Sequence, residues 1–212
     1  DKLCRAERFK CDSISDAPTG GFDMTTVLTV LRRGGDFRDE HVERLRKQVE
    51  PYTDAFLCLD DEILEHDWPT WWPKIEMFKV SGPCLYFDLD TTITGDITPM
   101  LEAAEQHPFI ALRNPSKGVP IGSGIMAWNG DMSRLYEKFA RRPELYMDRY
   151  RKLPKIGDQG FIWDNNLEPV TYWQDLFPGK ILSYKVNCKR TMPKEAMVVY
   201  FHGKPRPWDV EK

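Results

Sequence analysis

Two hydrophobic periods alternate along this chain. Residues 25–31 (TTVLTVL) form a dense β-branched and aliphatic run broken by Gly34-Gly35, which reads as a buried strand ending in a tight loop open to a ligand. Residues 39–49 then place Val42, Leu45 and Val49 at helical spacing among charges, and residues 55–59 form a second short strand running into Asp60-Asp61. This β-α-β opening predicts right-handed crossovers, a parallel sheet covered by helices, and a binding site beyond the carboxyl ends of the strands. Gly34, Gly35, Asp60 and Asp61 all fall at that edge.

The same reading continues downstream. Residues 71–79 (WWPKIEMFK) predict a helix opened by Pro73, and after Gly82-Pro83 the strand 84–87 ends on Asp88-Leu89-Asp90. Residues 124–128 (GIMAW) and 132–140 predict a further strand and helix, with Leu135, Tyr136 and Phe139 on one helical face. Residues 196–201 (AMVVYF) predict a last strand leading into His202-Gly203 and a proline-rich tail. No repeat or low-complexity linker divides the chain. The expectation is a single α/β domain over residues 24–212 with a mainly parallel central sheet flanked by helices. Residues 1–23, which carry Pro18, Gly20 and Gly21 and no apolar signal core, are expected to be a peripheral extension.

Composition narrows the class. At 212 residues the chain suits one core; 41% hydrophobic and 30% charged residues are an ordinary globular balance, and no run nears the roughly 20 apolar residues that cross a bilayer. A net charge of −3 gives no general field for nucleic acid, so no such partner is expected. Five cysteines (Cys4, Cys11, Cys58, Cys84, Cys188) without C-x-x-C spacing indicate neither a zinc cage nor a disulfide framework, and reduced thiols in a cytoplasmic protein are the simpler expectation.

The chemistry centres on D-L-D. On an extended strand, residues i and i+2 share a face, so Asp88 and Asp90 would direct two carboxylates into one site while Leu89 faces away. Hard divalent cations such as Mg²⁺ or Mn²⁺ take oxygen ligands and complete their shells with water and substrate phosphates. A solvated turn is the plainer alternative for a lone D-x-D, because aspartate is common after strands.

Four segments occur together: LYFDLDTTITGDI (85–97), GSGIMAWN (122–129), GDQGFI (157–162) and FHGKPRPW (201–208). In this order they resemble the GT-A-type glycosyltransferases of the glycogenin and bacterial lipooligosaccharide galactosyltransferase family. The resemblance implies a nucleoside-diphosphate-sugar donor (UDP-sugars favoured), a Mn²⁺ or Mg²⁺ cofactor, an acceptor it does not identify, and transfer with retention. By the same resemblance Asp88 and Asp90 hold metal, Ser123 and Gly124 wall the donor sugar, Asp158 and Gln159 lie at the reaction centre, and Arg206, helped by Lys204, binds phosphate. Lys74 stands near a donor-site arginine, although an ammonium cannot form a guanidinium fork. Gly122 and Gly160 depart from the pattern, and His202 stands one residue before Gly203 instead of three. His202 is nonetheless expected as the third metal ligand, since Tyr200 and His202 would share a face on an extended strand.

Other readings attach to the same residues. FDLDTTI also resembles the motif of haloacid-dehalogenase-type phosphatases, where the first aspartate is a nucleophile; that motif usually opens the core sheet, whereas Asp88 follows a long β-α-β segment. A nucleotide-sugar-binding protein without turnover is a third class. Gly122, Gly124 and Gly130 fit tight turns as well as sugar contact. Trp71, Trp72, Trp163 and Trp173 fit packing more readily than stacking on a ligand. Asp60-Asp61 suits a ribose hydroxyl or a helix cap, and Asp158 a catalytic role or a cap.

Overall fold

A computed structural model of the protein describes residues 24–114, 120–152, 156–188 and 195–210. The expected extension 1–23, with Cys4 and Cys11, lies outside the described residues. Strand β1 (Thr26–Val30) leads through helix α1 (Asp39–Val49) to β2 (Phe56–Leu59), as the hydrophobic spacing predicts. The apolar stripe of α1, Val42, Leu45 and Val49, is buried. Residues 72–79 wind as a 3-10 helix (Trp72–Lys79) instead of the predicted helix from residue 71. Next come β3 (Cys84–Phe87), β4 (Thr91–Ile93), α2 (Thr98–Gln106), β5 (Phe109–Arg113) and β6 (Ile121–Trp128). Helices α3 (Ser133–Ala140), α4 (Pro143–Arg149) and α5 (Gly157–Asn165) follow, then β7 (Val170–Tyr172), α6 (Trp173–Leu176), β8 (Ile181–Ser183), β9 (Val198–Tyr200) and α7 (Pro207–Val210).

The main sheet has the order β2-β1-β3-β6-β5-β7. β1 pairs in parallel with β2 and β3, and β5 with β7, while β6 runs antiparallel to both its neighbours. Five of its strands therefore share one direction, which is the mainly parallel arrangement expected. Both faces are covered, and this explains why the strands read as near-continuous apolar runs. Val27, Leu85 and Phe87 pack on the side of α1 and α2, whereas Leu28, Tyr86 and Trp128 pack against Ile75 and Phe78 of the 3-10 helix, Phe139 of α3 and Phe161 of α5.

Two features shape the site. The β5–β6 pairing jumps from Ala111↔Met126 to Leu112↔Gly122, so Ser123, Gly124 and Ile125 bulge away from β5; such bulges re-aim side chains at the rim of a sheet. The chain also leaves the main sheet at Asp88 and enters a second sheet, β4-β9-β8, at Thr91. No helix among the described residues is long and apolar enough to cross a membrane. Cys58, Cys84 and Cys188 are free thiols.

Candidate active site at the end of β3

The D-L-D segment is a turn, not a continuation of the strand. Asp88 N–H extends the ladder by one bond to the Gly124 carbonyl (2.8 Å), and Thr91 N–H then closes back on the Asp88 carbonyl (3.0 Å). Arg44 of α1 fixes this turn by donating to the Leu89 and Thr91 carbonyls at 2.9 and 2.8 Å. The strand-alternation argument for Asp88 and Asp90 therefore gives way to turn geometry, and the two carboxylates meet different surroundings. Leu89 does face the core, at 3% exposure.

Asp88 Oδ1 accepts from the Tyr86 hydroxyl at 2.5 Å and lies 2.8 Å from the Lys74 ammonium. Its Oδ2 faces Gly124, where an added Cβ would stand at 3.2 Å, so a glycine leaves this oxygen its space. Asp90 is 5% exposed and is paired with the Arg206 guanidinium. Burial, and next the charge of Asp88, nevertheless push the Asp90 carboxyl up to about 7 against the pull of Arg206. Asp90 thus ionises less readily than an ordinary aspartate.

Lys74 joins this turn to α5. The residue is 7% exposed, and its ammonium lies 2.8 Å from Asp88, 3.3 Å from Asp158 Oδ2, and 3.4 Å from both the carbonyl and the hydroxyl of Ser123. Burial by itself would lower its pKa, but the Asp158 and Asp88 charges outweigh burial and raise it well above the ordinary lysine value. The group stays charged. Asp158 is the second residue of α5, where the helix dipole favours an anion. Its Oδ2 lacks an aligned hydrogen bond, so charge rather than hydrogen-bond geometry ties it to Lys74. The residue after it, Gln159, accepts a long bond (3.5 Å) from the Asn114 amide.

A cavity of about 260 Å³ opens here, bordered by Asp88, Asn114, Ser123 and Gly124 on one side and by Gln159, Tyr200 and His202 on the other. Tyr200 ends β9, and its ring centroid lies 6.2 Å from that of His202, so both side chains do reach the same space. His202 Nε2 is 3.0 Å from the Ser183 hydroxyl. Burial, and then Lys185, hold its pKa below the ordinary histidine value, which favours the neutral, ligating imidazole.

Two carboxylates, one with an oxygen facing the cavity, and a neutral imidazole are donor types suited to Mn²⁺ or Mg²⁺. Among the described residues, though, the three ligand atoms that come together within 4.8 Å of one another belong to Glu65, His66 and Glu76 instead. That cluster already contains a cation: the Lys79 ammonium is 2.8 Å from Glu65 and 3.3 Å from the fully buried Glu76.

The remaining expected residues do not border the cavity. Gly34 and Gly35 lie in the exposed loop after β1 with open space above them. Asp60, just past β2, pairs with Arg33 at 3.1 Å and accepts from Glu62 N–H in a turn where no helix begins, while Asp61 pairs with Arg32 at 2.7 Å. Lys204 is exposed. Arg206 reaches the site through Asp90 and also pairs with Asp36 at 3.4 Å. Three contributors escaped the sequence reading. Tyr86 had a signal, standing on β3 two residues before Asp88; Arg44 and Asn114 had none.

No protein-family model matches the chain, and no curated protein matches it in sequence. Solved structures do match in fold. The galactosyltransferase LgtC, in complex with donor and acceptor sugar analogues, superposes with a TM-score of 0.58 at 16% identity, over 87% of this chain and 89% of LgtC. A glycosyltransferase involved in glycosylation of the major capsid of PBCV-1 gives 0.54 at 13% identity, over 83% and 91%. The glycosyltransferase GlyE of Streptococcus pneumoniae TIGR4 gives 0.57 at 14% identity, over 87% of this chain but 56% of GlyE, so the chain spans little more than half of that protein. The chain has the GT-A fold of these glycosyltransferases, LgtC among them.

Proposed function

We propose that this protein transfers a sugar from a nucleoside-diphosphate sugar, with UDP-sugars favoured by the resemblance, to an acceptor, using Mn²⁺ or Mg²⁺ held by Asp88, Asp90 and His202. One observation carries the reading: on a GT-A fold, the D-L-D turn and the Asp158-Gln159 helix start converge on one cavity and are tied together by the buried Lys74. LgtC is seen with donor and acceptor sugar analogues, and by that likeness the cavity receives the donor sugar. The bound ion would supply Lewis-acid stabilisation of the departing diphosphate. Arg206 adds positive charge beside Asp90, with Lys204 close in sequence. Ser123 and Gly124, bulged from β6, wall the sugar. Lys74 holds Asp158 in place, and Gln159 offers its amide to the sugar face. Retention at the anomeric carbon is the outcome the resemblance implies, and a reducing, cytoplasmic setting suits the free thiols.

The phosphatase alternative loses its structural basis, because the fold is that of glycosyltransferases and the D-L-D turn follows the third strand in chain order, next to an antiparallel one. The deciding experiment titrates UDP-glucose and UDP-galactose with and without Mn²⁺ and follows UDP release. Mn²⁺-dependent binding with slow release, weakened in both Asp88→Asn and Asp90→Asn, supports the proposal. Binding without release in any condition points to a non-catalytic binder, and hydrolysis of p-nitrophenyl phosphate without donor binding returns the phosphatase.

A further inference from the structure

Positive charge is gathered on one short stretch of this acidic chain. Over residues 137–152 six basic side chains (Lys138, Arg141, Arg142, Arg149, Arg151 and Lys152) stand against three acidic ones, whereas the whole chain carries a net charge of −3. All six are exposed. Glu137 takes Arg141 at 3.9 Å, and Asp148 takes Arg151 at 3.2 Å. Among the described residues Lys138, Arg142, Arg149 and Lys152 have no carboxylate partner, and Arg149 instead lies over the Tyr150 ring at 5.7 Å. The end of α3, all of α4 and the turn beyond it thus present cations that the fold itself leaves unneutralised.

The helix in the middle of this stretch buries very little. Pro143 opens α4 at its first position, and none of its seven residues is buried. Tyr146 and Met147 are half-buried against the core beneath, while Leu145 leaves 52% of its surface open. Leu145 and Arg149, four residues apart, share one face of the helix, and Arg142 stands three residues before Leu145. An aliphatic side chain is therefore framed by guanidiniums on an outward face. Two more exposed apolar groups are tied to this part of the molecule. Trp163 precedes Asp164, which accepts from the Tyr150 hydroxyl at 3.0 Å, and Leu167 precedes Glu168, which pairs with Arg134 of α3 at 3.5 Å.

Charge alone would suit any polyanion. A soluble polyanion meets cations at its phosphates or sulfates but gives an isolated aliphatic side chain nothing to bury against. A bilayer containing anionic lipids offers both, with charged headgroups at the surface and acyl chains directly below. Six lysines and arginines fall within the cluster size that anionic headgroups attract. We propose that the face built by the end of α3 and by α4 binds the surface of an anionic membrane, with Arg142 and Arg149 on lipid headgroups and Leu145 inserted between them. Such a contact lies on the bilayer and needs no spanning helix. It stands independently of the catalytic reading.

Co-sedimentation of the full chain with vesicles tests the surface, using phosphatidylcholine alone and phosphatidylcholine mixed with phosphatidylserine, and heparin and single-stranded DNA as soluble polyanions. Binding is expected to the mixed vesicles and should fall as salt is raised. One cation near an anionic surface changes partitioning about fivefold, so the double variant Arg142→Gln, Arg149→Gln should bind about twentyfold more weakly. Leu145→Ser removes the inserted group and should cost about fivefold with vesicles, with no loss on heparin. Lys47→Gln, which removes an exposed cation of α1, should sediment like the wild-type chain. Circular dichroism establishes that each variant is folded, and the double variant Arg142→Lys, Arg149→Lys, which keeps the charge, should retain binding. Failure to sediment with the mixed vesicles overturns the proposal, as does vesicle binding that the double glutamine variant leaves unchanged. Vesicle binding unaffected by Leu145→Ser, with heparin or DNA bound through the same arginines, also overturns it and makes the face a site for soluble polyanions.

Discussion

Replacing Lys74 by methionine probes the centre of the site most directly. The side chains are similar in length, so the change deletes a charge with little loss of volume. In the wild-type chain the ammonium lies 2.8 Å from Asp88 and 3.3 Å from Asp158, and both Lys74 and Asp158 are more than nine-tenths buried. Breaking a buried pair strands the partner charge, which typically costs about 3–5 kcal/mol. For a chain of this size that corresponds to a fall in Tm of roughly 6–20 °C. Urea melts at pH 7 and differential scanning fluorimetry read both quantities. Adding Asp158→Asn removes one stranded carboxylate, so the double variant should recover about 1–3 kcal/mol relative to additivity. The pH dependence has a definite sign. Because the neighbouring carboxylates, after offsetting burial, raise the folded-state pKa of Lys74 above 10.5, its contribution is complete below that pH and is lost as pH rises through the folded value. A cost below about 1 kcal/mol, the range of an exposed pair, with no recovery in the double variant, would refute the reasoning.

Other outcomes follow from neighbouring residues. The Asp90 carboxyl sits at about 7 when folded against 3.8 when unfolded, so its ionisation opposes folding as pH rises between those values; relative to wild type, Asp90→Asn should gain stability from pH 4 to pH 7 and then level off in urea melts, and a constant difference would deny the burial effect. His202→Ala should weaken Mn²⁺ binding in the presence of UDP, read by isothermal titration calorimetry, while Tyr200→Phe stays near wild type; a loss confined to the tyrosine variant moves the ligand to Tyr200. Gly157→Ala combines a positive φ with a 2.6 Å collision against the Trp71 indole, so a destabilisation of at least about 1–3 kcal/mol is expected, and a neutral result would mean that Trp71 is free to move.

The opening half of the fold was legible because its elements follow simple periods. Val42, Leu45 and Val49 specify one buried helical stripe, and the runs around Leu28 and Tyr86 are apolar on both faces because helices cover both faces. Short elements without a period were not legible: β7 and β8 have three residues each, and β5 carries its functional neighbour Asn114 just past its end. Asp88 and Asp90 were found by chemistry, yet the strand argument behind them fails, since a turn held by Arg44 arranges them. The Lys74–Asp158 tie was invisible for a different reason. It joins the 3-10 helix to α5, and a single sequence carries no record of which distant charges fold together. The likeness to glycosyltransferase motifs supplied Asp158 and Gln159, which local pattern alone left divided between catalysis and capping.

The union of Asp90 with residues far downstream has a consequence for how the protein is made. Asp90 is held by Arg206, its carbonyl accepts from Phe201 N–H, and β4 directly after it pairs with β9. Asp90 and Arg206 are 116 residues apart. At synthesis rates of about 5–20 residues per second, their separation corresponds to roughly 6–23 s of translation. During that interval the nascent chain carries the D-L-D turn without the strand that completes its second sheet and without the guanidinium that offsets its charge. The main sheet can assemble in order as it emerges, but the D-L-D turn gains its last partners only with β9 and Arg206, so a chain stalled before β9 would hold the main core with Asp90 unpaired by either.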